Sequence, residues 1–337
     1  MGYELSGFQL SLRRGIGVGL LLGLLLLSGC SSIQVAMAPE PEKVELTDDG
    51  KFATSDGKAF GFQQWGARLD DEGAEPDLVV IGVHGINGAS DDWHVLGRHL
   101  GENKSNFALY AYDLRGMGRD PVEPDRGDLR RAEDWTQDLL DFTRLVRLEH
   151  PKAKLVWFGE SLGSLIVMRT VSELEGQALP VDAIGLSAPI AGFGDKLSWG
   201  KKFFLRGVAC LFPRWRISMM SLSGGEEVEV VEGVKHDEQA VHNDWNIERH
   251  TLRLLVHIGD QVKRMNHDAT LIKVPTLVMH GGNDVFTDPQ TVRDFFDQIP
   301  EGVDKKLKFY PESYHLLFYD KNNEVICRDV IEWLEGL

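Results

Sequence analysis

The most restrictive feature of this sequence is a serine set between two glycines where two apolar runs meet. Residues 154–158, KLVWF, have the length and composition of a buried strand, and residues 164–174, SLIVMRTVSEL, continue as a helix. The sequence GESLG at 159–163 joins them. So abrupt a turn requires close neighbours without side chains, and Gly159 and Gly163 meet that need. The stretch predicts a strand, a sharp turn and a helix, with Ser161 at the apex.

A serine at such a turn can serve as a nucleophile. The pattern G-x-S-x-G between a strand and a helix is the arrangement called the nucleophile elbow. The helix that begins at Ser161 also directs the positive end of its dipole to the place where negative charge would develop. The alternative is a tight turn with a capping serine and no chemistry. A nucleophilic serine needs a base, and the base needs an orienting group.

The rest of the chain alternates between strand-like and helix-like segments. The predicted strands cover 78–85, 107–113, 154–158, 181–189, 276–281 and 306–311, and the helices 133–149, 164–174, 289–298 and 323–335. A hairpin turned at Asp56-Gly57 precedes them. This alternation predicts an α/β fold with a doubly wound, mostly parallel sheet. Residues 190–270 interrupt it, and we interpret them as a helical cap insertion in a domain of residues 51–337.

Two loops near the C-terminus offer the base and the acid. In doubly wound sheets, functional side chains follow the carboxyl ends of strands, and the expected order is serine, acid, histidine. Asp284 follows the strand 276–281, and His315 follows the last strand. Asp288 remains the alternative acid. His280, at a strand end, is interpreted as structural.

The loop after the first buried strand offers part of an oxyanion hole, which requires two backbone N–H groups. One is expected from Leu162, the residue after the nucleophile. The other is expected from Ile86 in the sequence HGING at 84–88, which we call the oxyanion loop. His84 is interpreted as a residue that orders this loop.

Several motifs along residues 50–337 resemble one family. HGINGAS, YDLRGMGRD, GESLGS, VPTLVMHGGNDVFTDP and ESYHLLFYD occur in the order found in α/β-hydrolases of the monoacylglycerol lipase and lysophospholipase group, also described as serine aminopeptidase-like. The cap sequence HDEQAVHNDW at 236–245 is also similar to that group. The resemblance implies an α/β-hydrolase fold and a serine-dependent acyl transfer that needs no metal or organic cofactor.

The same resemblance assigns individual residues. It places a catalytic triad on Ser161, Asp284 and His315, and an oxyanion hole on Ile86 and Leu162. It also implies that Asp113 and Arg115, within DLRGMG, are structural supports. Two residues depart from the family pattern: Glu160 stands where histidine is commoner, and Met117 where the family often has histidine. These departures weaken inference about the substrate.

The N-terminal region predicts a lipid anchor. Arg13 and Arg14 precede the apolar stretch 16–27, which as a helix would rise only about 18 Å and is too short to span a bilayer. The sequence LSGC at 27–30 resembles a bacterial lipobox. We therefore predict a lipoprotein signal peptide at 1–29, a lipidated Cys30 and a flexible tether at 30–50. Ser31, which is not acidic, indicates the outer membrane of a bacterial cell envelope. A plain secretory peptide and a twin-arginine signal are the alternatives.

Charge is distributed unevenly along the chain. The formal net charge of −16 argues against nucleic acid as a partner. Residues 196–220 nevertheless carry six Lys and Arg residues, no acid and several large aromatic side chains. This segment is either a solvated cap face or a face that lies on lipid. The three cysteines are too scattered for a disulfide framework or a zinc site.

These observations predict a membrane-anchored serine hydrolase that cleaves carboxylic esters of lipids through an acyl-enzyme. The expected substrate class is lysophospholipid or monoacylglycerol. An esterase, thioesterase or peptidase for a soluble substrate is the first alternative. A non-catalytic envelope protein on a hydrolase fold is the second.

Overall fold

The computed structural model describes residues 51–66, 75–102, 106–192, 206–218, 229–231, 233–235 and 245–337. The predicted signal peptide, the lipobox with Cys30 and the tether lie outside these ranges. Within them, no helix is both long enough and apolar enough to cross a membrane. All these ranges belong to the domain predicted for residues 51–337.

A seven-stranded sheet forms the centre of this domain. The first two strands, β1 (Phe52–Ala53) and β2 (Ala59–Phe60), form the predicted hairpin beside it. The sheet contains β3 (Phe62–Gly66), β4 (Leu78–Val83), β5 (Phe107–Tyr112), β6 (Lys154–Glu160), β7 (Ala183–Ser187), β12 (Thr276–Gly281) and β13 (Lys305–Tyr310). Its order is β13-β12-β7-β6-β4-β5-β3, and only β3 runs antiparallel. The prediction of a doubly wound, mostly parallel sheet is confirmed.

Helices cover both faces of the sheet, which explains why its inner strands are apolar along their whole length. The helices are α1 (His94–Glu102), α2 (Glu133–Glu149), α3 (Leu162–Glu173), α4 (Leu252–Ala269), α5 (Pro289–Gln298) and α6 (Asn323–Glu335). Helices α2 to α5 bury residues such as Phe142, Ile166 and Phe295 in one core layer. Helices α1 and α6 bury residues such as Leu96 and Val330 in the other.

The structure corrects the extent and content of the predicted insertion at 190–270. Its described parts include short antiparallel pairs, β8 (Arg216–Ser218) with β11 (Arg249–Thr251) and β9 (Glu229–Val231) with β10 (Val234–Lys235). Helix α4 packs on α3 and buries Leu254, Ile258 and Val262 in the sheet's own core. Residues 252–269, which the prediction placed in the cap, thus belong to the helical layer of the sheet. Strands of two or three residues are too short to show an alternating pattern, which is why the sequence did not reveal them.

Candidate active site

Ser161 stands at the turn between β6 and α3 in a strained backbone conformation. Its φ is 52° and its ψ is −112°, which non-glycine residues rarely adopt. Its N–H donates to the Ser187 carbonyl at 2.9 Å. A Cβ at Gly163 would lie 1.9 Å from the Val83 carbonyl oxygen, and one at Gly159 would lie 2.5 Å from the Gly163 backbone. Close packing therefore requires both glycines of the motif.

The loops that carry the predicted acid and base lie side by side, because β12 and β13 are parallel neighbours. The Asn283 N–H donates to the Ser313 carbonyl at 2.9 Å and ties the two loops together. A Cβ at Gly281 would lie 2.3 Å from the Tyr314 carbonyl oxygen, so the loops approach closely where no side chain intervenes. The sheet topology thus brings Asp284 and His315 to one place.

A continuous hydrogen-bond chain links the three predicted triad residues. The Nε2 atom of His315 lies 2.9 Å from the Ser161 Oγ, and its Nδ1 atom lies 2.8 Å from Asp284 Oδ2. Because the carboxylate can only accept, Nδ1 carries the hydrogen, and Nε2 is left to accept from the serine hydroxyl. All three side chains are buried. The arrangement can transfer a proton from Ser161 to His315.

Asp284 is held in its charged form. Burial opposes ionisation, but the charge attraction and hydrogen bond of His315 outweigh it and lower the pKa of Asp284. The second carboxylate oxygen, Oδ1, accepts from the N–H groups of Phe286 at 2.8 Å and Thr287 at 3.2 Å. These bonds fix the carboxylate so that it faces the imidazole.

The alternative residues in these loops have other contacts. Asp288 is exposed and caps α5, where its Oδ1 accepts from the Gln290 N–H at 2.8 Å. His280 donates through Nε2 to the Thr287 carbonyl at 3.2 Å, and burial lowers its pKa. The structure therefore brings Asp284, and not Asp288, to His315. The contacts of His280 agree with a structural role.

The oxyanion loop passes directly beside the nucleophile, because β4 and β6 are neighbours in the sheet. A Cβ at Gly85 would lie 3.3 Å from the Ser161 Cβ. The Gly85 carbonyl accepts from His84 Nδ1 at 2.8 Å and from the Gly88 N–H at 3.2 Å. Since a trans peptide points its C=O and N–H in opposite directions, these bonds also set the direction of the Ile86 N–H.

Leu162 is the first residue of α3, so its N–H has no partner within the helix. Leu162 thus offers its N–H next to Ser161, and the Ile86 N–H follows the glycine that approaches Ser161. The His84 ring secures this geometry, because its Nε2 accepts from the Leu114 N–H at 3.0 Å while Nδ1 donates to Gly85. Burial lowers the pKa of His84 to about 4, which keeps the ring neutral. The contacts match the prediction that His84 orders the loop.

Asp113 and Arg115, the predicted structural supports, bond to groups outside the triad. Arg115 donates to both carboxylate oxygens of Asp138, at 2.8 and 2.7 Å, and to both of Asp56, at 2.7 and 2.9 Å. Asp113 accepts from the Ser90 N–H at 2.8 Å, just after the oxyanion loop. Met117, the second departure from the family pattern, is buried in the core. These residues hold the loops and do not reach the reacting atoms.

Sequence reasoning assigned no role to two features near Ser161. Glu160 is buried, and burial together with the charge of Asp92 raises its pKa to about 8. His250, at the root of the cap, lies with its Nε2 2.9 Å from Asn87 Oδ1 in the oxyanion loop. The sequence marked Glu160 only as a departure from the family pattern. The pairing of residues 87 and 250 has no signal in the sequence. Within the described part of the chain, no His, Cys, Asp and Glu residues cluster so as to hold a metal ion.

Comparison with known proteins places this site in a family. A family profile described as serine aminopeptidase, S33 matches residues 74–322. The chain is 34% identical over 317 residues to a monoglyceride lipase of Saccharomyces cerevisiae, covering 89% of this chain and 97% of that protein. It is 24% identical over 261 residues to a monoacylglycerol lipase of Mycolicibacterium smegmatis, covering 77% and 89% respectively.

A solved structure shares the fold. The crystal structure of a monoacylglycerol lipase from Paleococcus ferrophilus superposes with a TM-score of 0.64 at 21% identity, covering 82% of this chain and 98% of that one. The family match spans most of the chain and contains all the loops described above. The chain therefore belongs to the serine aminopeptidase S33 family of α/β-hydrolases, in the group that contains carboxylesterases and monoacylglycerol lipases.

Proposed function

We propose that this protein is a membrane-anchored serine hydrolase that cleaves carboxylic esters of lipids through an acyl-enzyme. Monoacylglycerol or lysophospholipid is the proposed substrate class. The observation that carries this proposal is the hydrogen-bond chain from Ser161 through His315 to Asp284, on a strained turn beside two backbone N–H groups.

In the proposed mechanism, the Ser161 Oγ attacks the ester carbonyl carbon while His315 Nε2 takes its proton. The N–H groups of Ile86 and Leu162 bind the oxyanion of the tetrahedral intermediate, each contributing roughly 3–4 kcal/mol. Asp284 holds the imidazole in the required tautomer and stabilises its charged form. The imidazolium then protonates the leaving alcohol, and the acyl group remains on the serine. Water, activated by the same histidine, attacks the acyl-enzyme and releases the fatty acid.

The cap surface supports a lipid as substrate. Leu211, Phe212 and Trp215 are 70%, 59% and 57% exposed and lie close in sequence. The rings of Phe212 and Trp215 pack edge to face with centroids 6.3 Å apart. Exposed large side chains of this kind are unusual on a protein that meets only water, and they would gain about 25 cal/mol for each Å² of apolar area placed in lipid.

The charges of the same segment support this orientation in part. Arg214 is exposed and lies between Phe212 and Trp215 in the sequence, whereas the exposed Arg206 pairs with Asp260 at 2.5 Å. Arg216 is committed elsewhere, because its guanidinium donates to the carbonyls of Arg126 at 2.6 Å and Pro124 at 3.1 Å. Each exposed cation would gain about 1 kcal/mol near an anionic membrane surface. Lys196, Lys201 and Lys202 lie outside the described residues.

A substrate panel with the purified full-length protein in detergent tests the proposed function. We expect long-chain monoacylglycerol and lysophospholipid to be hydrolysed with a higher kcat/KM than short, soluble esters. Ser161→Ala should lower turnover by several orders of magnitude. Near wild-type activity in a folded Ser161→Ala variant would show that the proposed nucleophile is wrong.

The cap is tested with a triple variant of Leu211, Phe212 and Trp215 to serine. We expect a selective loss of activity on substrate presented in anionic vesicles, with little change on a short soluble ester. Leu148→Ser is the matched control, because Leu148 is 73% exposed on α2, outside the cap. Equal losses on both substrates would point to a misfolded cap and not to a lipid-binding face.

A peptidase is the second candidate, because the matching family is described as serine aminopeptidase. The same triad can cleave amides, although less readily than esters. Aminoacyl anilides in the panel would separate the two functions. A preference for anilides over lipid esters would favour the peptidase.

The membrane anchor is proposed from the sequence alone. Leu27, Ser28, Gly29 and Cys30 form the lipobox-like stretch, and we propose that lipidated Cys30 attaches the mature protein to the bacterial envelope at the outer membrane. Metabolic labelling with a fatty-acid analogue should label the wild-type protein but not Cys30→Ala. An unlabelled wild-type protein would remove the anchor from the proposal.

A further inference from the structure

The oxyanion loop contains a tight turn that depends on one residue in a left-handed conformation. The Gly88 N–H donates to the Gly85 carbonyl at 3.2 Å, so Ile86 and Asn87 occupy the central positions of the turn. Asn87 has a φ of 59°. Positive φ at the third position is characteristic of a type II turn, which asparagine tolerates better than most residues.

A side chain from the root of the cap holds this turn. The Nε2 atom of His250 lies 2.9 Å from Asn87 Oδ1. The amide oxygen accepts, so the imidazole donates. His250 is fully buried on β11 and pairs with Ile217 of β8. The contact therefore joins the oxyanion loop to a strand 163 residues away in the sequence.

The strand that carries His250 is itself firmly fixed. The neighbouring Thr251 donates through its N–H to the Gly127 carbonyl at 2.8 Å and through Oγ1 to Asp128 Oδ1 at 2.7 Å. Arg253 donates to both carboxylate oxygens of Asp128. His250 thus acts from a rigid base, and its contact restrains Asn87 more than the reverse.

A second contact holds the same part of the cap near the oxyanion loop. The Arg119 guanidinium lies 3.9 Å from the centre of the Trp245 ring. Arg119 also pairs with Asp91, three residues after the loop, at 3.6 Å. The Trp245 carbonyl accepts from Arg126 at 2.7 Å. Residues 245–251 therefore meet this region at two separate points.

We infer that His250 is a positioning residue for ester hydrolysis. Its hydrogen bond to Asn87 holds the turn at residues 85–88 in place, and this turn directs the Ile86 N–H toward the attacked carbonyl. This inference rests on the proposed function. It makes residues 245–251, where the cap meets the domain, a support of the oxyanion hole. This role is separate from any part that the cap plays in substrate selection.

Four variants test the inference with a short soluble ester, which does not depend on the cap's exposed surface. His250→Ala and Asn87→Gly each remove the hydrogen bond, and glycine keeps the positive φ. Each should lower kcat about 10- to 100-fold, since a displacement of about 1 Å in a catalytic group can cost 100-fold, and KM should stay within about twofold. His250→Gln retains an N–H donor and should recover most of the loss. The double variant should be no worse than the more severe single variant, because both remove one interaction.

Affinity for a trifluoromethyl ketone gives a readout that a purely structural role would not move. The ketone forms a tetrahedral adduct with the serine and places its oxyanion in the hole. Its affinity should fall in His250→Ala by the same factor as kcat/KM. His257→Ala, a partly exposed histidine on the adjoining helix α4, is the matched control and should change neither quantity.

The outcomes separate this inference from the proposed function. Activity that survives in Ser161→Ala would overturn both. If hydrolysis depends on Ser161 but His250→Ala keeps kcat within about twofold, the inference alone is overturned. Losses that multiply in the double variant, or a fall in Tm with unchanged kcat, would also overturn it.

Discussion

Two regions beside Ser161 hold carboxyl groups whose pKa values are shifted in opposite directions. On the side of the last two strands, Asp284 is surrounded by donors, and its pKa is lowered. On the side of the oxyanion loop, burial raises the pKa of Glu160 to about 8 and that of Asp92 to about 7. The Asp92 carboxyl lies beneath the loop, where a Cβ at Gly88 would be 2.2 Å from its Oδ2.

The difference shows how burial and hydrogen bonding together determine charge near the nucleophile. Asp284 receives donors on both oxygens, which offset the loss of hydration. Glu160 Oε1 is buried and makes no hydrogen bond in the described structure, so its ionised form is poorly solvated. In the proposed mechanism, a negative charge on Asp284 stabilises the imidazolium. A negative charge beside the oxyanion hole would oppose the intermediate.

The largest expected effect tests Asp284, on the side of the last two strands. Asp284→Asn keeps the size of the side chain but removes the charge and permits the wrong histidine tautomer. We expect kcat to fall by about 10⁴-fold. Steady-state hydrolysis of a soluble ester by the folded variant measures it.

Asp288→Asn is the matched control for that substitution. Asparagine caps helices as well as aspartate does, so this variant should keep nearly full activity and stability. The reverse pattern, a mild Asp284→Asn and an inactive Asp288→Asn, would mean that Asp288 and not Asp284 is the acid.

A smaller effect tests Glu160, on the side of the oxyanion loop, through the dependence of the unfolding free energy on pH. The folded pKa of Glu160 is raised from its ordinary 4.5 to about 8, so the folded protein binds this proton more tightly than the unfolded chain does. Stability from this group is therefore complete below about pH 4.5 and is lost as the pH rises to about 8. Glu160→Gln cannot ionise. From pH 5 to 8, the wild type should lose on the order of a few kcal/mol more unfolding free energy than the variant.

Chemical denaturation at each pH measures that difference. Glu301→Gln, on an exposed loop, is the control and should follow the wild type at every pH. Asp92, whose charge contributes to the raised pKa of Glu160, remains in all variants. Parallel curves of unfolding free energy against pH for Glu160→Gln and the wild type would mean that folding does not raise the pKa of Glu160. The proposed difference between Glu160 and Asp284 would then be wrong.

Much of this site could be predicted from the sequence because its residues follow buried strands. Ser161, Asp284 and His315 each come directly after an apolar run, and the carboxyl ends of parallel strands meet at one edge. The choice between Asp284 and Asp288 could not be settled in that way. Both occur in one short loop, and only the backbone path decides which carboxylate faces the imidazole and which caps α5.

The sequence by itself determined the alternation of the main strands and helices, the strained turn at Ser161 and the candidates for acid, base and oxyanion donors. These depend on local periodicity and on glycines at fixed spacing, which are properties of neighbouring residues. The tertiary structure alone decided the place of α4 in the helical layer, the raised pKa of Glu160 and the contact between His250 and Asn87. These three properties depend on burial and on hydrogen bonds between segments that are far apart in the sequence. Both arise only when the chain is packed, so no local pattern in the sequence predicts them.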